Sequence, residues 1–182
     1  MSRGPTAAAE ARRRVTDLVR RAGVAMLTTI DLDGRLVSRP MGLPQEEFDG
    51  DLWFFAHAGS ATLRHIRVNP EVNVAFTDQR HAFWVALTGI AGEGYDRARV
   101  ERLWRPALAA WFPAGPDTPG LTLIKVHAIA ADYWDAASGT VTTLLGRARP
   151  AGPGGTGRSG ADEAPGTRGA RSADEHADYS SQ

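Results

Sequence analysis

The sequence predicts a mainly β domain whose antiparallel strands close into a barrel or roll, with helices at its flanks. Three observations carry that prediction. Six runs of strand character are joined mostly by tight turns, with few of the long crossovers that a parallel sheet needs. Helical spacing is confined to the segment before the first strand, the stretch after the third and the stretch before the last. After Leu145 the large aliphatic residues disappear, which marks the end of the domain. At 182 residues, 42% of them hydrophobic, the chain holds one such domain and a tail.

The elements follow in order. Val15, Leu18, Val19 and Ala22 fall at helical spacing within Ala7 to Ala22, and Gly23 stops that helix. Val24 to Ile30 is the first strand. Asp31-Leu32-Asp33-Gly34 is the strongest hairpin signal in the chain and returns it as Arg35 to Met41. Pro40 cannot donate to a ladder, which places that strand at an edge or a bulge. An acidic link over residues 45–50 leads to the aromatic strand Leu52 to His57. Ser60 then caps a short helix, Ala61 to Val68, which Asn69-Pro70 ends. Val72 to Thr77 alternates as a fourth strand. In the fifth, Phe83 to Ala91, Phe83, Val85 and Leu87 share one face and Trp84, Ala86 and Thr88 the other. Asp96 caps a helix reaching Leu103, Arg105-Pro106 breaks it, and a second helical piece runs to Trp111-Phe112-Pro113. The last long strand, Leu121 to Trp134, is expected to bend or bulge near Ala128 to Ala131.

Residues 146–182 contain no Val, Ile, Leu, Met, Phe or Trp. Such a segment cannot offset the roughly 1–2 kcal/mol per residue of backbone ordering. The expected organisation is a flexible N-terminal segment over 1–14, a domain over 15–145 and a disordered tail over 146–182.

Charge and composition exclude several classes. Twenty-one basic residues balance twenty-one acidic ones, leaving no electrostatic case for nucleic acid or a membrane surface. No apolar run approaches the ~20 residues of a membrane span. Met1 to Arg14 lacks the apolar block of a secretory signal, so a cytoplasmic location is expected. Cysteine is absent, which removes disulfides, thiolate metal sites and cysteine nucleophiles, so any redox chemistry must come from a bound cofactor. The one lysine, Lys125, sits in an apolar strand run and is expected to face outward.

No phosphate-binding glycine loop or dinucleotide fingerprint occurs, and the five histidines lack the spacing of a metal site. His65, in the middle of a short helix, reads as a solvated residue, and His57 as a residue bonded to its turn. What remains suits a planar anionic ligand. Arg39 lies on a strand followed by Pro40 and Met41. The aromatic strand begins eleven residues past Met41, and a helix opens at Ser60. A phosphate requires a guanidinium and free backbone N–H donors; Arg39 can supply the first and the helix start at Ser60 to Thr62 the second. An arginine on a strand also reads simply as a surface charge.

Six segments change that balance. Ser38-Arg39-Pro40-Met41, Leu52-Trp53-Phe54-Phe55-Ala56, Asn69 to Val74, Leu103-Trp104-Arg105-Pro106, Ala110-Trp111-Phe112-Pro113-Ala114-Gly115 and Asp132-Tyr133-Trp134-Asp135 occur in order at family-like spacing. Together they resemble the general stress protein branch of the pyridoxamine 5'-phosphate oxidase-like family, over roughly Val15 to Leu145. The Trp111-Phe112-Pro113 and Tyr133-Trp134-Asp135 pieces are the specific ones.

The resemblance implies a six-stranded antiparallel split β-barrel of the FMN-binding type, a homodimer with two flavins at the subunit interface. It implies that Arg39 approaches the flavin phosphate, with Pro40 and Met41 beside it. The backbone of Trp53, Phe54, Phe55 and Ala56 would contact the ring, Ser60 and Thr62 would complete the phosphate site, and Trp84 would reach across from the partner. Two positions depart from the family pattern: Thr62 stands where lysine is usual, and Ala56 where threonine is frequent. Losing a charge-assisted hydrogen bond costs about 1.5–3 kcal/mol, so a related flavin or a deazaflavin is an alternative ligand. Arg64, one turn further, could compensate or lie on a solvated face. Of the five tryptophans, Trp104 reads as core, while Trp111 and Trp134 divide between packing and lining the ligand pocket.

The expected function is a flavin-dependent oxidoreductase acting on a small molecule; the alternative is a non-catalytic, flavin-buffering stress protein. No catalytic residue and no metal ligand stands out. Pyridoxamine phosphate oxidation itself is disfavoured, because the chain ends its last long strand without the added basic residues that substrate needs. A haem site is disfavoured because no histidine has an axial position.

Overall fold

The computed structural model describes residues 7–44, 47–78, 80–135 and 139–146. The chain divides into a unit over 1–150 and another over 151–182. The second unit, and with it nearly all of the expected tail, lies outside the described residues.

The first helix, α1 (Ala7–Ala22), turns Val15, Leu18 and Val19 into the core. It ends at Gly23, whose φ of +67° an L side chain rarely adopts. Arg14 ties it to the barrel, donating from Nη2 to the Tyr133 hydroxyl at 3.1 Å. α1 thus takes in residues 7–14 of the segment expected to be flexible; residues 1–6 lie outside the described residues.

Strands β1 (Val24–Ile30) and β2 (Leu36–Gly42) form the expected hairpin. The Asp31 carboxylate accepts the amides of Asp33 at 2.9 Å and Arg35 at 2.8 Å, and Gly34 takes φ +81° at the turn. β3 (Asp51–His57) leads into α2 (Ala61–Val68), then β4 (Glu71–Asp78), β5 (Phe83–Gly94), α3 (Arg97–Leu103) and β6 (Leu121–Asp135).

A seventh strand, β7 (Thr140–Leu145), pairs antiparallel with the end of β6. The expected count of six is therefore corrected to seven among the described residues. β7 carries three threonines and one exposed valine before its two leucines, so it presents neither clean alternation nor an apolar run. Its pairing with β6, and the packing of Leu144 and Leu145 on the core, hold it in place.

The strand order is β2-β1-β4-β5-β6-β3, antiparallel throughout, with β7 beside β6. The two end strands, β2 and β3, approach one another without pairing, which leaves the barrel split along that seam. β6 bulges where expected: Thr88 faces Ala130 and Gly89 faces Ala128, so Ile129 is the extra residue. Gly89 is required there, since a Cβ on it would lie 2.3 Å from the His127 carbonyl oxygen.

Two apolar clusters result. The main core, inside the barrel, contains Leu27, Leu52, Phe54, Leu63, Val74, Phe83, Leu87 and Ile124. The second lies on the outer side of β3 and β6, where Phe55, Leu121 and Leu123 receive Val100 and Leu103 from α3, and Phe112 from just past the turn of 3₁₀ helix at Pro106–Ala110.

Candidate functional site

Of the residues expected to hold an anion, Arg39 stands on β2, at one side of the seam between β2 and β3, and Ser60 and Thr62 follow β3, at the other. Arg39 pairs across β1 with Leu27 and alternates with Val37 and Met41 on the core side of β2. Met41 packs against the main core, while Pro40 lies exposed on the edge strand, where its missing N–H costs no ladder bond. The Arg39 guanidinium Nη1 is buried and has no hydrogen-bond partner among the described residues. A buried donor left unpaired costs on the order of 1–3 kcal/mol, and more when charged. An anionic group at the seam would satisfy it.

The chain leaving β3 supplies the second half. Ser60 is the N-cap of α2, with extended backbone (φ −66°, ψ 151°), and its Oγ accepts the Leu63 amide at 3.3 Å. As an acceptor in that bond, the hydroxyl keeps its own proton to donate. The amides of Ala61 and Thr62 stand ahead of the first intrahelical bond, where helix N–H groups favour anions. Cations surround this helix start. Arg64 donates from Nη1 to the Gly59 carbonyl at 2.7 Å, and Arg67 from Nη2 to the Ala58 carbonyl at 3.1 Å while pairing with Glu93 at 2.5 Å. Arg64 thus braces the turn before α2. Thr62 is buried, so the position usual for lysine adds no charge.

The aromatic strand divides between the two clusters. Phe54 and Ala56 face the main core, Phe55 the second cluster. Trp53 also faces α3: the Arg99 guanidinium lies 4.0 Å from its ring centre and the Lys125 ammonium 5.5 Å. His57 stacks on Phe112 with ring centres 4.8 Å apart rather than bonding only to its turn. Trp84 and Trp134 are direct cross-strand partners on the outer face of the sheet, Trp84 46% exposed. Trp111 is 76% exposed on the residue that ends the 3₁₀ turn, while its neighbours Leu108 and Phe112 anchor that turn. The structure therefore sets Arg39 on the core side of β2, beside β1, one of the strands on which α2 docks. It sets Trp53 and Trp111 on the α3 side, and Trp84 and Trp134 on the outer face.

One buried polar pair was missed. His65 is 8% exposed, not solvated, and its Nδ1 lies 3.0 Å from the Thr29 hydroxyl, which is fully buried. The signal was present in the helix register, since His65 falls three residues after Thr62 and next to Ile66 on the inward face.

Beside this region, Asp51 accepts Lys125 Nζ at 2.8 Å and His127 Nδ1 at 2.9 Å. Partial burial pushes its carboxyl up, but the hydrogen bonds from Lys125 and His127 outweigh that and hold it below the ordinary value of 3.8. A depressed carboxyl stabilises the fold above its unfolded pKa, and that contribution is lost as pH falls through the folded value. Acid unfolding below pH ~4 is therefore expected to be shallower in Asp51→Asn than in the parent protein, measured by circular dichroism; identical acid limbs would contradict the pairing.

The fold and seam define a split-barrel protein, and the chain belongs to the pyridoxamine 5'-phosphate oxidase-like family, whose model matches residues 10–153. Over 119 residues it is 30% identical to the protein bli-3 of Neurospora crassa, an alignment taking in 60% of this chain and 57% of bli-3. The chain thus spans a little over half the length of that relative. A general stress FMN/FAD binding protein from Xanthomonas citri superposes with a TM-score of 0.58 at 28% identity, covering 69% of this chain and 89% of that one. A Clostridium acetobutylicum protein related to general stress protein 26 shares the fold at a TM-score of 0.62 and 19% identity, covering 74% and 93%. No described helix is long and apolar enough to cross a membrane.

Proposed function

We propose that the protein binds FMN at the β2–β3 seam, as a homodimer, and works as a flavin-dependent oxidoreductase. The observation that carries this reading is the buried Nη1 of Arg39, without a partner among the described residues, on the core side of β2. The family and the flavin-binding relative from Xanthomonas citri supply the ligand class. The phosphate would take Arg39 Nη1, the Ser60 hydroxyl and the Ala61 and Thr62 amides; the ring would lie along the backbone of Pro40, Met41 and Trp53 to Ala56. Bound flavin supplies the electron transfer, so the protein has only to hold, orient and shield it. That accounts for a seam with no acid–base pair among its described residues.

The dimer is supported by the outer face of the sheet, where Val24 and Met26 of β1 and Trp84 and Ile90 of β5, the two strands that flank β4, are exposed large apolar side chains. Exposed apolar side chains gathered on one face favour an interaction surface there. Sedimentation is expected to give a dimer at micromolar concentration, and Met26→Glu with Trp84→Glu a monomer that has lost flavin. A parent protein that is monomeric with flavin bound would overturn the dimeric site. Reduction of the yellow protein by NADH or NADPH, followed by reoxidation by an added acceptor, tests the oxidoreductase reading. Flavin that stays bound and inert to both nucleotides would instead mark a flavin-holding protein.

A further inference from the structure

The pair His65–Thr29 does nothing in the site as described, yet it joins the two halves of that site. His65 projects from α2, whose first turn carries the Ser60, Ala61 and Thr62 donors. Thr29 belongs to β1 and is the cross-strand partner of Val37, two residues before Arg39 on the same face of β2. The Thr29 hydroxyl lies 3.0 Å from His65 Nδ1 and, at 3.5 Å, points to the Val37 carbonyl. A threonine hydroxyl has one proton. Given to Val37, it leaves the hydroxyl to accept from a ring protonated on Nδ1; given to Nδ1, it pairs with a ring protonated on Nε2, and the pair is bonded in both tautomers.

We propose that His65 is a positioning residue for phosphate recognition: it clamps α2 to β1 and, through Thr29, to β2, and so sets the gap between the α2 amides and the Arg39 guanidinium. The proposal rests on the flavin reading above. Neither side chain needs to touch the ligand. Both are buried in a position where an apolar residue would pack as well, and an apolar pair would avoid the cost of sequestering an imidazole and a hydroxyl. What the polar pair adds is direction. Apolar contacts from Leu63 and Ile66 hold α2 on the core but allow it to slide, whereas a hydrogen bond fixes its register against the strand that bears Arg39. The helix has only eight residues, so a small shift at His65 moves its N-terminus as a body.

A merely structural role would weaken all ligands alike. A clamp on the phosphate site weakens FMN and spares riboflavin, which has the ring but no phosphate. The test titrates FMN and riboflavin into the full chain by flavin fluorescence, for the parent protein, His65→Leu, His65→Asn and Thr29→Val. His65→Leu is expected to raise the FMN Kd about fivefold or more, the loss of one hydrogen bond, with riboflavin changed less than about twofold. Asparagine, whose side-chain amide can take the place of Nδ1, is expected to restore FMN binding to within about twofold of the parent. Thr29→Val, which keeps shape and removes the hydroxyl, is expected to repeat the leucine result and serves where His65→Leu fails to fold. Equal losses for both flavins, or no change in either variant, would overturn the clamp while leaving flavin binding standing. A parent protein that binds neither flavin would overturn the flavin reading itself, and the clamp with it.

Discussion

Phe54→Ala is expected to lower folding stability by about 3–5 kcal/mol, the cost of deleting a large buried ring whose surroundings relax only in part. Phe54 is fully buried in β3, opposite Ile124 of β6 and between Leu52 and Ala56 on the main-core face. It also sits in the strand that borders the seam, and pairing with β6 is all that holds that edge in the sheet. A cavity there loosens the strand whose backbone is assigned to the flavin ring. Urea unfolding measures the loss; a change under about 1 kcal/mol would show that the core reseals around the missing ring. Flavin affinity should fall for both FMN and riboflavin, since the damage is to the ring side of the site.

Arg39→Ala is expected to have the opposite signature. Removing the guanidinium should weaken FMN by about 1.5–3 kcal/mol, ten- to more than a hundredfold, and leave riboflavin nearly unchanged. Under the proposed reading Arg39 would carry an unusually large share, because Thr62 supplies no charge and Arg64 is engaged with the Gly59 carbonyl. The same substitution should leave the ligand-free protein as stable as the parent, or more stable, because it removes with Nη1 a buried donor that has no partner among the described residues. Loss of affinity with no loss of stability separates a binding residue from a packing residue. Thr62→Lys is the converse: its stem must run out from a buried position to reach the seam, and where it does, FMN tightens and riboflavin does not. If Arg39→Ala weakens riboflavin as much as FMN, the arginine holds the ring or the fold, and the phosphate lies elsewhere.

Much of the fold was legible because its signals are local. The Asp31 turn, the Ser60 and Asp96 caps and the alternation of β4 and β5 are each decided within a few residues, and each stands where expected. The bulge at Ile129 was legible too, since a fifteen-residue strand cannot follow a curled sheet without one. β7 was not, because its place is set by a partner strand rather than by its own pattern. The site was half legible. Arg39 and the α2 start could be paired only through family resemblance; the structure sets Arg39 on the core side of β2 and packs α2 against β1 and β5. The surroundings of Trp53 depend on how α3 folds back over β3 and β6, a long-range contact that no spacing reveals. His65 was misread for a related reason: a polar residue in a short helix looks solvated until the hydroxyl that receives it, thirty-six positions earlier, is known.

The most direct test of the account is an equilibrium titration of flavin-free protein with FMN and, in parallel, with riboflavin, followed by quenching of flavin fluorescence. A seam that binds flavin through its phosphate predicts saturable binding of one FMN per chain, at least about tenfold tighter than riboflavin. Riboflavin binding as tightly as FMN, or no saturable binding of either, would contradict it.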